Sequence, residues 1–162
     1  MTLRSRVKVM EMRRPRRVPF DRRFLLASRR WLRDPDLRRS LRAPEFTDEE
    51  QELWFSRLDG REDYLIWGVE FAGRPAGAFG LKNVEGDSAE YWGYVGEPDL
   101  RGVGIGTWML TTALDTARQM GLSRVTLRVG SENMPALRLY EKLGFTVTGA
   151  QDDLVLMERR IG

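Results

Sequence analysis

Between Glu90 and Met120 the spacing of apolar positions changes once. From Glu90 to Gly96 aromatic and branched residues crowd together (Tyr91, Trp92, Tyr94, Val95), the composition of a half-buried strand, and Pro98 with Asp99 ends it. From Ile105 the apolar residues recur as Met109, Ala113, Ala117 and Met120, with Trp108, Leu110 and Leu114 beside them and Gly121 after them. That spacing predicts a helix with one buried face. Between the two lies Arg101-Gly102-Val103-Gly104-Ile105-Gly106, where alternate residues lack a Cβ and a ligand can approach the backbone.

The flanking pattern fills out one compact unit. Val7 and Val9 alternate with Lys8, so Ser5 to Met12 is expected to form a first edge strand, which Arg13 to Pro19 breaks with two prolines. Helical spacing follows through Phe24, Leu25, Ala27 and Trp31 up to Asp34-Pro35, then a short helix carries Leu37 and Leu41. Thr47-Asp48-Glu49-Glu50 reads as a capping box for a helix expected to bury Leu53, Trp54 and Leu58. Tyr64 to Phe71 and Ala76 to Val84 are β-type runs joined by Ala72-Gly73-Arg74-Pro75, and Glu85-Gly86-Asp87 turns into the strand at Glu90.

After the long helix, Val125, Leu127 and Val129 alternate with Thr126 and Arg128. This strand follows a crossover helix and should lie parallel to the one ending at Gly96. Asn133 then caps a helix with Pro135 in its first turn and Gly144 after it, and Phe145 to Thr148 pairs with Leu154 to Glu158 as a hairpin. Residues 1–19 are read as a basic leader with that first strand, and residues 20–162 as a single domain.

Composition narrows the chemistry. The chain has 162 residues, enough for a substantial core, and neither cysteine nor histidine. There is no disulfide frame, no Cys or His zinc site, no Ser-His-Asp triad and no thiol nucleophile, so no metal is expected and proton transfer must use carboxylates, Tyr, Lys, backbone or water. No apolar run approaches a membrane span or a secretory segment, and a cytoplasmic protein is expected. Of 27 basic residues 24 are arginine, read as the codon bias of a bacterial genome before selection for bidentate contacts. Through Arg42 the chain carries 15 basic and 4 acidic residues, against 12 and 20 beyond it. The basic arm lacks interleaved aromatics for base stacking, so nucleic acid is not an expected partner.

The glycine loop before a helix makes an anion site, because the first helical turn points free N–H groups and a positive dipole end into it. A P-loop would need Gly-Lys followed by Ser or Thr, which is absent. A dinucleotide fingerprint would need glycine at position 107, which is Thr107, although Glu132 after the next strand could imitate the ribose-binding acid.

The order Arg101, Gly104, Gly106, preceded by a strand and followed by Asn133 and by Tyr140-Glu141-Lys142-Leu143-Gly144-Phe145, resembles the GNAT superfamily of acetyl-CoA-dependent N-acetyltransferases. The likeness is good from about Asp63 to Glu158 and looser before it. It implies a mixed α/β (α+β) GNAT fold: a central, mostly antiparallel sheet, splayed between two parallel central strands and flanked by helices. It also implies acetyl-CoA as cosubstrate. Arg101, Gly102, Val103, Gly104, Ile105, Gly106 and Thr107 would hold its pyrophosphate, Tyr94, Val95 and Gly96 its pantetheine arm, and Asn133 a further contact.

In the same resemblance Tyr140 would be the general acid for the departing thiolate, and a backbone N–H near Tyr94 to Gly96 would polarise the carbonyl. Glu90 is the candidate base, ahead of Asp87 and Glu97. With no cysteine, direct attack in a ternary complex is expected rather than an acyl-enzyme. Trp31-Leu32-Arg33-Asp34-Pro35-Asp36-Leu37-Arg38 resembles a segment of members that acetylate nucleotide-linked amino sugars or ribosomal-protein N-termini, with Leu32 and Arg33 departing from it. Trp31, Trp67 and Trp92 are candidate substrate contacts, since flat apolar faces stack on sugars and bases. The acceptor is expected to be a small-molecule amine, an amino sugar ahead of a peptide N-terminus. A non-catalytic acyl-CoA sensor is the alternative from another class, and many relatives dimerise, so a homodimer is one arrangement the resemblance admits.

Overall fold

The computed structural model describes residues 2–162, with only the backbone described for residues 8–12. Seven strands form one sheet in the order β1-β2-β3-β4-β5-β7-β6. They are β1 (Arg16–Pro19), β2 (Leu65–Phe71), β3 (Arg74–Glu85), β4 (Ser88–Val95), β5 (Arg124–Gly130), β6 (Thr146–Gln151) and β7 (Leu154–Arg160). Every neighbouring pair is antiparallel except β4 with β5, the pair joined through the long helix. Helices α1 (Leu3–Met12), α2 (Arg22–Trp31), α3 (Pro35–Ser40) and α4 (Asp48–Ser56) precede β2, while α5 (Ile105–Gln119) and α6 (Met134–Lys142) flank β5.

Alternation sorts the sheet's faces. Val69, Phe79, Leu81, Ala89, Tyr91, Val125, Leu127 and Val129 join Ile105, Met109, Leu110, Ala113, Leu114 and Ala117 of α5 in the main core. The opposite face takes α2, whose Phe24 is fully buried over Gly68 and forms a second cluster with Trp31 and Leu37. Burying a side chain like Phe24 contributes about 2–3 kcal/mol.

The parallel pair is the feature that shapes the site. β4 and β5 are in register only at Ser88–Arg124, Ala89–Val125 and Glu90–Thr126. Beyond Glu90 the two strands part. Because β3 holds β4 along its whole other edge and β7 holds β5 from Arg124 to Gly130, neither strand can bend back to close the gap.

Two expectations fail at the N-terminus. Residues 5–12 lie in a helix, since the Ser5 amide donates to Thr2 Oγ1 at 3.1 Å and caps the turn, and three alternating positions are too few to impose a strand. The edge strand is instead Arg16–Pro19, where a terminal proline is tolerated because that strand has β2 on one side only. Farther on, Thr47 and Glu50 make the expected reciprocal capping box. The helix it starts leaves Leu53 51% exposed and buries Gln51, whose amide is held by Arg29 and Ser28.

Candidate functional site

The gap between β4 and β5 opens into a cleft of about 1020 Å³, floored by Glu90 to Val95, walled by Leu127 to Gly130 and α6, and bounded at one end by the glycine loop. Gly102 and Gly104 have φ of 80° and 92°, and a Cβ at either would meet nothing within 4 Å. Their role is backbone conformation: in this left-handed region a side chain is strained even where there is room. Gly104 is the N-cap of α5 and no side chain caps the helix, so the amides of its first turn face the loop. Arg101 reaches back to the Val95 carbonyl with Nε at 3.4 Å, which sets its guanidinium at the loop's mouth. Gly106 and Thr107 line the cleft, Ile105 turns its side chain into the core, and Val103 is 56% exposed and lies off the lining.

Hydrogen bonding along β4 decides which backbone groups face the gap. Gly96 donates to the Ala76 carbonyl at 2.8 Å, on the β3 side. The carbonyl of Asp87 accepts from Ser123 and Arg124, on the β5 side. By the period of two, Tyr91, Gly93 and Val95 turn N–H and C=O to the β5 side, while Tyr94 turns its own to β3; the Glu90–Thr126 bridge engages the Tyr91 amide, so the amides of Gly93 and Val95 are the ones that reach the gap. Of the expected Tyr94, Val95 and Gly96, only Val95 turns its amide to the gap, with Gly93 beside it. Tyr94 faces the cleft through its ring instead.

Tyr140 on α6 lines the cleft and packs against Phe145 at 6.1 Å between ring centroids. It is at once a core residue and part of the cleft wall. Burial pushes its hydroxyl above the usual phenol value, so it stays protonated at neutral pH. Tyr91 is a second phenol on the same side, raised further by burial and then by the charge an ionised Tyr140 would carry. Asn133 caps α6 by accepting from the Ala136 amide at 3.3 Å, and its residue also lines the cleft.

Of the three tryptophans expected to contact substrate, only Trp92 lines the cleft, stacked between Tyr64 at 6.1 Å and Tyr94 at 6.4 Å. Its indole nitrogen is turned inward against Gly80 and is the one buried side-chain polar atom left without a partner among the described residues. Trp31 is 3% exposed, lies over Gly96 where a Cβ would be 2.1 Å from its ring, and donates to Glu97 Oε1 at 2.9 Å. It fixes the end of β4 and is not a cleft contact. Trp67 packs on Phe79 at 5.4 Å beneath the Arg17 guanidinium and lies outside the cleft, because position 67 of β2 points to the α5 side.

Glu90 lies at the apex of the opening with its side chain 14% exposed, paired with Lys82 and Arg128. Asp87 instead accepts from Ser123 Oγ at 2.6 Å outside the cleft, and Glu97 is buried against Arg30 and Trp31, so neither is placed to take a proton there. The Arg30 hydrogen bond holds the Glu97 carboxyl below the usual range. Lys82, Arg128 and Arg42 were not among the expected site residues. For Arg128 the signal was its alternation with the core positions Leu127 and Val129, which turns it to the open side of β5.

The model of the acetyltransferase (GNAT) family matches residues 27–145. The chain belongs to this family. An uncharacterized N-acetyltransferase of Methanocaldococcus jannaschii is 32% identical over 114 residues, 67% of this chain and 50% of that protein. The mycothiol acetyltransferase of Clavibacter michiganensis is 36% identical over 98 residues, 60% of this chain and 30% of that protein. The chain thus spans about half or less of these curated relatives. Spermidine N-acetyltransferase from Vibrio cholerae, solved with CoA and spermine, superposes with a TM-score of 0.80 over 90% of this chain and 95% of that one at 22% identity, a likeness of fold.

Coenzyme A fits the residues present. Uncapped amides and Arg101 suit a pyrophosphate, and the unpaired edge of β4 suits an arm that carries amides of its own. No group of His, Cys, Asp and Glu suited to a metal ion occurs among the described residues.

Proposed function

We propose that the protein is an acetyl-CoA-dependent N-acetyltransferase that acts on a primary amine by direct attack. The observation that carries the reading is the conjunction of an uncapped helix N-terminus with a gap lined by unpaired β4 edge groups and, on its other wall, Tyr140. Acetyl-CoA, when bound, supplies an acyl thioester whose C–S bond breaks as the N–C bond to the amine forms. A gap-facing amide of Gly93 or Val95 donates to the carbonyl oxygen where negative charge builds up. Tyr140 holds the proton for the departing sulfur, and Glu90 receives the proton of the incoming ammonium, directly or through water. Arg101 and the amides from Gly102 to Thr107 anchor the phosphates, with Asn133 at the far lip. Trp92 and Tyr94 supply an aromatic wall for the acceptor, which favours a nucleotide-linked amino sugar over a peptide N-terminus.

Thermal unfolding with acetyl-CoA, CoA, NAD and ATP, followed by release of the CoA thiol with candidate amines, tests this. A ligand at about 100 times its dissociation constant adds about 2.7 kcal/mol, a shift of several degrees for a domain of this size. Stabilisation by acetyl-CoA and CoA alone is expected. Tyr140→Phe should keep that stabilisation and lose roughly 10²-fold in kcat, the usual worth of a general acid. Stabilisation without turnover by any amine would leave an acyl-CoA sensor, and stabilisation by NAD alone would overturn the reading.

A further inference from the structure

Three adjacent strands each place one charged side chain where the sheet opens: Lys82 on β3, Glu90 on β4 and Arg128 on β5. Both cations reach the same oxygen, Glu90 Oε2, each at 3.3 Å, and among the described residues Oε1 receives only the Asn83 amide at 3.4 Å. The trio carries one net positive charge. Its carboxylate side chain is 14% exposed, against 31% for Lys82 and 43% for Arg128, so the open side of the trio is cationic. Arg128 meets Glu90 through Nε, which leaves the planar end of the guanidinium, the part suited to bidentate binding of an oxyanion.

The other carboxylates of the cleft are already matched. Asp36 pairs with Arg39, and Glu132 with Arg42, which also holds Asp153 at 2.6 Å. A polycation entering here would find no unpaired carboxylate among the described residues that line the cleft and would bring further positive charge against an existing excess, an unfavourable juxtaposition. An acceptor with one amine and one anion meets the opposite situation. Its ammonium can replace a cation at Glu90 while its anion takes the cation released, so no charge in the trio is left without a partner.

We propose that Lys82 and Arg128 select an acceptor whose amine is accompanied by an anionic group, a phosphate ester or a carboxylate, with Glu90 receiving the ammonium. This rests on the acetyltransferase reading and names its acceptor class. Trp92 and Tyr94, two and four positions along β4 on the same face, give the body of such a molecule an apolar surface.

The test uses matched amines: glucosamine and glucosamine 6-phosphate, ethanolamine and O-phosphoethanolamine, tyramine and tyrosine, with spermidine beside them. Binding to the CoA-loaded protein is read by calorimetry, and turnover by thiol release at saturating acetyl-CoA. At least one member that carries the anion should bind about tenfold more tightly than its anion-free partner, about 1.4 kcal/mol, with the gain shrinking at high salt. The first two pairs against the third separate phosphate from carboxylate. In Arg128→Glu the ratio of specificity for the anion-bearing member to that for its anion-free partner should fall to one or below, through KM more than kcat; a merely structural loss around Glu90 would lower kcat for both members alike. Arg128→Gln and Lys82→Gln provide the same readout should the charge reversal not fold. A preference for the anion-free partners or spermidine, no binding by any anion-bearing amine, or a preference that survives these variants would overturn the proposal. Absence of stabilisation by acetyl-CoA would overturn the acetyltransferase reading itself, so the two failures are distinguishable.

Discussion

The two halves of the cleft are built from different materials. The loop half, Arg101 to Thr107, works through backbone: two left-handed glycines, an uncapped helix and one arginine, all contiguous in the chain. The acceptor half works through side chains on β3, β4 and β5 with a rim from α3, brought together only by strand register. A backbone site depends on conformations few residues can adopt, whereas a side-chain site depends on charges that can be exchanged one at a time. The first should be brittle toward substitution and the second tunable.

Gly104→Val is the harshest way to break the loop half. Its φ of 92° is strained for any side chain and most of all for a branched one, yet the space around it is open, so the protein should fold. Re-aiming the first-turn amides forfeits one or two hydrogen bonds to charged oxygens, each worth about 1.5–3 kcal/mol. Acetyl-CoA affinity should fall by roughly 10²-fold, read as loss of the thermal shift with acceptor binding little changed. Affinity within a few-fold of wild type would show that Arg101 and α6, rather than the loop backbone, carry the phosphates.

The same distinction explains what was legible in the sequence. Glycines with left-handed φ cannot easily be anything else, so Gly102 and Gly104 announce the loop, and the helical spacing from Ile105 to Ala117 announces what it leads into. The parallel placement of β5 followed from the crossover rule, and Asn133 from its cap. What escaped was whatever depends on pairing partners far along the chain. Tyr94 faces the cleft through its ring rather than its amide and Gly96 lies off the lining, because the Gly96 bond to Ala76 fixes which β4 amides face the gap. Trp31 and Trp67 are aromatic, as the core is, and nothing local distinguishes a tryptophan over Gly96 from one in a cleft. The Lys82–Glu90–Arg128 trio exists only in the register of three strands.

Glu97 tests the junction between the halves and the α2 layer. Its carboxylate, 8% exposed, ties Arg30 and the Trp31 indole to the start of the glycine loop. Glu97→Gln keeps an acceptor for the indole but removes the charge, at a cost of about 1 kcal/mol at neutral pH. Since the Arg30 hydrogen bond lowers the folded-state carboxyl below its unfolded value, this stabilisation is present above about pH 4.3 and is lost as the pH falls through the lower, folded value. Wild type and variant should therefore converge in stability on acidification. Parallel unfolding curves down to the acid limit would mean the ion pair contributes nothing and the packing of Trp31 on Gly96 holds the junction alone.

Arg42 offers the gentlest perturbation, and one confined to the acceptor half. It sits after α3 at a φ of 54°, closes on Asp153 at 2.6 Å and Glu132 at 3.3 Å, and lies 3.1 Å from where a Cβ on Gly130 would stand. It therefore ties the α3 rim to the far lip of the cleft, across the mouth an acceptor would use. At 30% exposure the pairs are partly screened and Arg42→Ala should cost only about 0.5–1 kcal/mol of stability. Its clearer signature is functional: with the rim untied, KM for the acceptor should rise a few-fold while the acetyl-CoA thermal shift holds, because among the described residues Arg42 makes no hydrogen bond or ion pair to the loop half. Should both ligands weaken together, the halves are mechanically coupled and the separation between a backbone site and a side-chain site fails. Should KM instead fall, the clasp is a barrier to entry, and its two carboxylates, rather than the aromatic wall, set how large an acceptor the cleft admits.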